Sequence, residues 1–235
     1  MLTVVEPGWE LLAPDDPAGL VELVERCGRV CYKSEGSIKE GSSDVFVRKI
    51  CRNRHESVLE HASLTVRIVC SRAASHQLVR HRVGCAYSQE SMRYCNYGKR
   101  GLQVIAPQGL SLPAGVYHKA LLPSRGYYTN IPKYDGPYAL WPDTHEQAWL
   151  RDVDRAYRSY CKQLDRKVKP EDARFILPTA TKTEVVTTFN VRMWRHVFRE
   201  RALNPHAQWE IRGIFKSIFD EFVQEMPAFF EDLQE

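Results

Sequence analysis

The sequence predicts a mixed α/β domain, α+β rather than a regular βαβ array, and three observations predict it. Leu64, Val66, Ile68 and Cys70 alternate through 62–70, the period-two pattern of a strand with one buried face. Trp149, Val153, Ala156, Tyr160 and Leu164 recur at helical spacing behind a Thr144-x-x-Gln147 capping box. Glu184–Phe189 alternates again and runs straight into a helical stretch at Val191–Arg201.

The remaining elements follow in order. Asp16-Pro17 is a helix start, and Leu20, Val24, Cys27 and Cys31 then form an apolar stripe. A second short helix begins near Ser43-Asp44 and buries Phe46 and Ile50. Ser71 can cap a helix running toward Arg80, with a glycine-containing loop after it. A short strand is expected at Leu102–Ala106. The Pro/Gly/Tyr-rich stretch 107–143 is too long for a simple connection and is expected to be an irregular excursion. Its Tyr127, Tyr128, Tyr134, Tyr138 and Trp141 argue against simple disorder. Pro205 is expected to open the last helix, with Ile211, Phe215, Ile218 and Phe222 inside and Pro227 as its stop.

The 235 residues fit one compact domain, 1–235, with 43% hydrophobic and 26% charged residues. No apolar run approaches the ~18 residues of a membrane span, and the start shows no secretory pattern, so a cytoplasmic protein is expected. The net charge of +4 does not call for a nucleic-acid partner. The seven cysteines are odd in number and contain no CxxC pair, which argues against disulfides and structural zinc. Most are expected in the core, Cys27, Cys31 and Cys51 on helical stripes.

Chemistry concentrates in three places. His55-Glu-Ser57-Val-Leu-Glu60-His61 precedes the first predicted strand; its spacing is not HExxH, and no metal is expected. Gln77-Leu78-Val79-Arg80-His81-Arg82 puts two arginines around a histidine, and Gln89, Glu90, Ser91, Met92 and Arg93 follow. Guanidinium forks clamp phosphates and carbonyl-rich heterocycles, so this loop suits a small polar anion. Arg174-Phe-Ile-Leu-Pro178 comes third, with Asn190-Val-Arg192 at a strand-to-helix junction, where functional groups gather. Arg195 and Arg199 continue that helix and are expected on a solvated face.

Arg80-His81-Arg82 followed by Tyr87-Ser88-Gln89-Glu90-Ser91-x-Arg93-Tyr94 resembles the signature of the flavin-dependent thymidylate synthases. His55-x-Ser57-x-x-Glu60-His61, Gln77, Arg174-x-x-Leu-Pro, Asn190-x-Arg192 with His196, Arg201 and Ala207-Gln-x-Glu210-Ile match the same pattern in order. The resemblance covers 50–95 and 170–215 and implies that family's fold. It implies dUMP contacts at Gln77, Leu78, Val79, Arg80, Gln89, Glu90, Ser91, Met92, Arg93, Arg174 and Arg201. FAD contacts are implied at Ser57, Arg80, His81, Arg82, Gln89, Asn190, Arg192 and His196. NADPH and 5,10-methylenetetrahydrofolate are implied as co-substrates, and a homotetramer with active sites shared between subunits as the assembly.

Uracil C5 is a poor nucleophile until charge on the ring is stabilised. Arg201 is the candidate for that role, Arg174 a second clamp, and Ser91 a polarising hydrogen-bond donor, making these three the catalytic candidates. Cys85 is not expected to act as a nucleophile. The alternatives are a related flavoenzyme methylating UMP or hydroxymethylating a pyrimidine nucleotide, and a non-enzymatic nucleotide- or RNA-binding module using the same arginines.

Overall fold

The computed structural model describes residues 2–121, 126–129 and 144–234, with the backbone alone for 119–121 and 126–129. In chain order these residues form β1 (Leu2–Val4), β2 (Gly8–Ala13), α1 (Gly19–Tyr32), α2 (Ser42–Arg52), β3 (Ser63–Ser71), α3 (Arg72–Leu78), β4 (Cys85–Gln89), α4 (Tyr97–Arg100) and β5 (Leu102–Val104). Then come β6 (Gly115–Leu121), β7 (Gly126–Thr129), α5 (His145–Asp165), α6 (Pro170–Ala173), β8 (Lys182–Asn190), α7 (Val191–Val197), α8 (Trp209–Glu225) and α9 (Pro227–Phe230). The mixed α/β class is therefore correct.

The chain packs as two units that interleave in sequence. The first comprises Met1–Pro7, Val69–Ser75 and Gln89–Thr183. Its sheet runs β5-β1-β6-β7, with β1 parallel to β5 (Leu2 opposite Leu102) and antiparallel to β6 (Leu2 opposite Tyr117). Leu2, Val4, Leu102, Val104, Leu150, Val153, Tyr157 and Tyr160 build its core. The Thr144 hydroxyl accepts from the Gln147 amide at 3.3 Å and fixes the start of α5, as the capping box predicts. Part of the expected irregular excursion is an antiparallel hairpin, β6–β7, in which His118 faces Thr129 and Leu121 faces Gly126. Its register is set by pairing onto β1, a partner more than 100 residues away in sequence and invisible to local pattern. Tyr134, Tyr138 and Trp141 lie outside the described residues, and no side chain is described for Tyr127 or Tyr128.

The second unit comprises Gly8–Ile68, His76–Ser88 and Glu184–Glu235. The sheet β2-β3-β8-β4 has most of its residues here. Leu64, Val66, Ile68, Val185 and Phe189 are buried as the alternation predicts. Trp194, Phe198, Phe215, Phe219, Phe222 and Phe230 interlock largely edge to face, giving α7 and α8 an aromatic core.

Several expectations need correction. Asp16 does receive the Gly19 amide on its carboxylate, at 3.3 Å, but Pro17 and Ala18 form a turn and the regular helix begins at Gly19. Pro205 does not open α8. The Gln208 side chain caps it instead, accepting from Glu210 and Ile211 at 3.1 and 3.2 Å, while the Pro205 carbonyl takes the Arg212 guanidinium. Cys31 is exposed at the last turn of α1, although Cys51 and Cys70 are buried. The short segments β1, β2 and β4 are strands that the sequence pattern does not announce. The largest correction is Arg195. It is 1% exposed rather than solvated, held bidentately by Asp232 at 2.7 Å and by the Phe229 carbonyl.

Candidate functional site

In the second unit, α3 ends at Leu78 and leads into Arg80-His81-Arg82. Leu78 and His81 turn inward, Gln77 and Val79 are half-buried, and Arg80 and Arg82 are exposed. The Tyr87 hydroxyl lies 2.7 Å from the His81 carbonyl and 3.0 Å from that of Leu78, and the Cys85 thiol donates to the His81 carbonyl at 3.1 Å. These contacts fix the His81 backbone, and they engage the Cys85 side chain in holding the loop.

After α7 the helix widens into a π-turn, Phe198–Leu203, a local geometry often found at functional sites. Arg201 lies in that turn, and its Nε donates to His81 Nε2 at 3.1 Å. The His196 ring stands edge-on to His81 with centroids 5.4 Å apart. Burial lowers the His81 pKa to about 4, and the charges of Arg201 and His196 push the same way. A neutral imidazole is what the hydrogen bond requires, since only an unprotonated Nε2 can accept. Arg201 is thus aimed without its charge being neutralised.

Beside this pair lies a cavity of about 470 Å³ lined by Glu56, Glu60, Gly84, Asn190, Arg192 and His196, among others. The Asn190 side chain caps α7, accepting from the Met193 amide at 2.8 Å. Gly84 is at φ +60°, and a Cβ there would stand 2.4 Å from Asn190 Nδ2. Only glycine lets the Arg-His-Arg loop close on the β8–α7 junction. Arg192 pairs with Glu60 at 2.5 Å and lies 3.7 Å from Glu56. The pair is about half exposed, so each partner can be exchanged at a cost of no more than ~1 kcal/mol. The 3-10 turn Glu56–His61 carries Ser57, which is exposed.

In the first unit, Gln89 closes β4 with its amide donating to Ser75 Oγ at 2.9 Å and Thr183 Oγ1 at 3.3 Å. Arg72 donates to the Glu90 carbonyl at 3.1 Å and to Thr183 at 3.2 Å. The Glu90 carboxylate accepts from Tyr97 at 3.1 Å and faces Lys182 at 3.5 Å. Ser91 opens a tight turn, its hydroxyl accepting from the Arg93 amide at 3.2 Å and its carbonyl from Cys95 at 2.9 Å. Arg93 and Arg174 meet at Glu171, the first on its carboxylate at 3.2 Å and the second on its carbonyl at 3.0 Å. The Met92 side chain is buried in the core, which leaves its backbone as the part available to a ligand.

The expected residues therefore assemble as two sets, one in each unit. Arg72, Ser75, Thr183, Glu171 and Gly84 support them and were missed. Each acts through a partner distant in sequence, and only Gly84, a glycine inside a basic loop, left a visible signal. Among the described residues no three His, Cys, Asp or Glu side chains cluster as metal ligands, and no helix is long and apolar enough to cross a membrane.

An arginine aimed by a neutral acceptor, beside a cradle that one methyl group would fill, is a fitting for an anionic nucleotide. The family model for thymidylate synthase complementing protein matches residues 16–228. A flavin-dependent thymidylate synthase of Mycobacterium sp. strain JLS is 35% identical over 232 residues, 96% of this chain and 83% of that protein. Its Geobacter sulfurreducens counterpart is 34% identical over 92% of this chain and 82% of its own length. The solved structure of a UMP/dUMP methylase PolB from Streptomyces cacaoi, bound with 5-Br dUMP, superposes with a TM-score of 0.69. It covers 97% of this chain and 95% of its own at 21% identity, a likeness of fold. This chain belongs to the flavin-dependent thymidylate synthase family, a family of FAD-dependent methyltransferases.

Proposed function

We propose that this protein converts dUMP to dTMP by reductive methylation at C5, taking the carbon from 5,10-methylenetetrahydrofolate and its electrons from NADPH. The observation that carries the reading is Arg201 held by a neutral His81, inside the Arg-His-Arg segment. An arginine beside uracil O2 and N3 stabilises negative charge on the ring and so raises the nucleophilicity of C5. A carboxylate partner would cancel that charge, whereas an imidazole acceptor does not. Arg174 and Arg93, gathered on Glu171, form the second clamp, suited to the nucleotide phosphate. Ser91 polarises the nucleotide by a hydrogen bond. Gln77, Leu78, Val79, Arg80, Gln89, Glu90 and Met92 complete the dUMP contacts, the last two through a turn that the Glu90–Tyr97 and Glu90–Lys182 contacts hold still.

The cavity at Gly84 fits FAD. It is a cradle closed by one Cβ, and its Asn190, Arg192 and His196 donors suit a dinucleotide. Ser57, Arg80, His81, Arg82 and Gln89 are the further FAD contacts that the family pattern implies. FAD, when bound there, supplies the hydride that turns the transferred methylene into a methyl group. The family model runs across both packing units, which supports reading 1–235 as one domain. The assembly is a cytoplasmic homotetramer with sites shared between subunits.

The test is the visible absorption spectrum of the purified protein with FAD, before and after dUMP. Flavin bands perturbed by dUMP are expected, and a protein that binds no flavin overturns the reading. Competing turnover of dUMP and UMP then fixes the nucleotide.

A further inference from the structure

A second cavity, of about 820 Å³, lies in the second unit between α1, the 3-10 turn Glu35–Ser37 and α2. None of the groups assigned above lines it. Its volume is within the range of small-molecule sites.

One wall is a fixed aromatic face. Phe46 is pressed so closely against α1 that a Cβ on Gly28 would stand 2.6 Å from its ring. The Arg29 guanidinium lies 4.8 Å from the ring centroid and is oriented by Glu25 at 2.7 Å, which also accepts from Ser42 at 2.8 Å. Tyr32, also on the lining, is exposed, its hydroxyl 3.3 Å from His55 Nδ1. The guanidinium, seated over Phe46 and held by Glu25, presents a planar face on which a ligand ring can stack at little ordering cost.

The rim is cationic. Lys39 and Lys49 line the cavity, are exposed, and have no ion-pair partner among the described residues. Glu40 is the one carboxylate in the described lining. Ser34 also lines it, with a buried hydroxyl oxygen that has no hydrogen-bond partner in the protein. Buried hydroxyls are rarely left unpaired, so this one awaits a ligand or water.

The location gives the cavity a role. His55 lines it and the next residue, Glu56, lines the 470 Å³ cavity, so the entry to the Glu56–His61 turn separates the two. We propose that the larger cavity holds the tail of a co-substrate whose reactive end reaches the smaller one: an aromatic group carrying two anionic substituents. Both co-substrates of the proposed reaction contain such a part, p-aminobenzoylglutamate in the folate and adenosine 2′,5′-bisphosphate in NADPH. The choice of these two rests on the functional reading above, while the chemical class rests on the lining.

Calorimetric titration of the full chain with p-aminobenzoylglutamate, and separately with adenosine 2′,5′-bisphosphate, tests it at low salt. One fragment is expected to bind and thereby identify the source. The double substitution Lys39→Gln/Lys49→Gln should weaken it about tenfold, and Ser34→Ala about threefold. The thermal transition and the FAD absorption bands of these variants should match the parent's, because all three positions lie outside the folded core and the flavin cradle. Binding of neither fragment, or binding indifferent to the lysine pair, overturns the proposal. Flavin and dUMP binding without fragment binding sinks this inference alone, and fragment binding without flavin binding sinks the functional reading.

Discussion

Arg195 and Arg201 stand six residues apart on one continuous helical run and have opposite surroundings. Arg195 is buried against Asp232 and the Phe229 carbonyl, with Glu56 at 3.7 Å. Arg201 is half-buried and its acceptor is the neutral ring of His81. The first is a cation neutralised to tie α7 to the C-terminal segment. The second is oriented while its charge stays available. The difference teaches that an arginine's partner, more than its burial, separates architecture from chemistry.

Substitutions can break the comparison from either side. Arg201→Ala should lower the rate of dTMP formation by about 10²–10³-fold, the cost of removing one well-placed charge stabiliser, with FAD still bound. Full activity with normal flavin binding would sink its assigned role. Arg195→Met should instead cost about 3 kcal/mol in urea unfolding, because Asp232 is left without its partner. Activity per folded molecule should hardly move, and a selective loss of rate would erase the contrast.

Two smaller effects sharpen it. Gly84→Ala must place a side chain at φ +60° and 2.4 Å from Asn190 Nδ2, so about 1–2 kcal/mol of stability and roughly tenfold in FAD affinity should be lost. Unchanged flavin titration would show that the loop moves freely. The pH dependence is the subtlest test. His81 binds its proton near 4 when folded and near 6.5 when unfolded, so the unfolded chain holds the extra proton between these values. Its contribution to stability is complete above pH 6.5 and is lost as pH falls toward 4, at no more than about 1.4 kcal/mol per pH unit. His81→Gln should flatten that slope in unfolding measured from pH 7 to 4; parallel curves would mean that His81 is not held neutral.

Much of this was legible beforehand because it is local. The Thr144 cap, the alternation in β3 and β8, and the apolar stripe of α8 need only neighbouring residues to be read. The short strands β1, β2 and β4 were not, since three to six residues carry little pattern of their own. Arg195 failed for the same reason: helical spacing put it on a basic stripe, and nothing nearby says that Asp232, 37 residues on, comes back to bury it. The two sets of site residues were recognised by their order along the chain. What the sequence hid was how each is aimed, through Thr183, Glu171 and the His81 ring.

The π-turn at Phe198–Leu203 has a consequence for any change in chain length. An α-helix advances about 100° per residue, and by its end a π-turn lags an unbroken α-helix by about one residue. Phe198–Leu203 therefore works like a phase shifter between α7 and the segment leading to α8. Excising a single residue there, Glu200 for example, would cancel that lag, so the segment beyond Leu203 would keep nearly its present azimuth on an unbroken α-helix. Only side chains inside the turn would be re-aimed, and the guanidinium of Arg201 would lose its setting against His81 while the helix around it stayed in place.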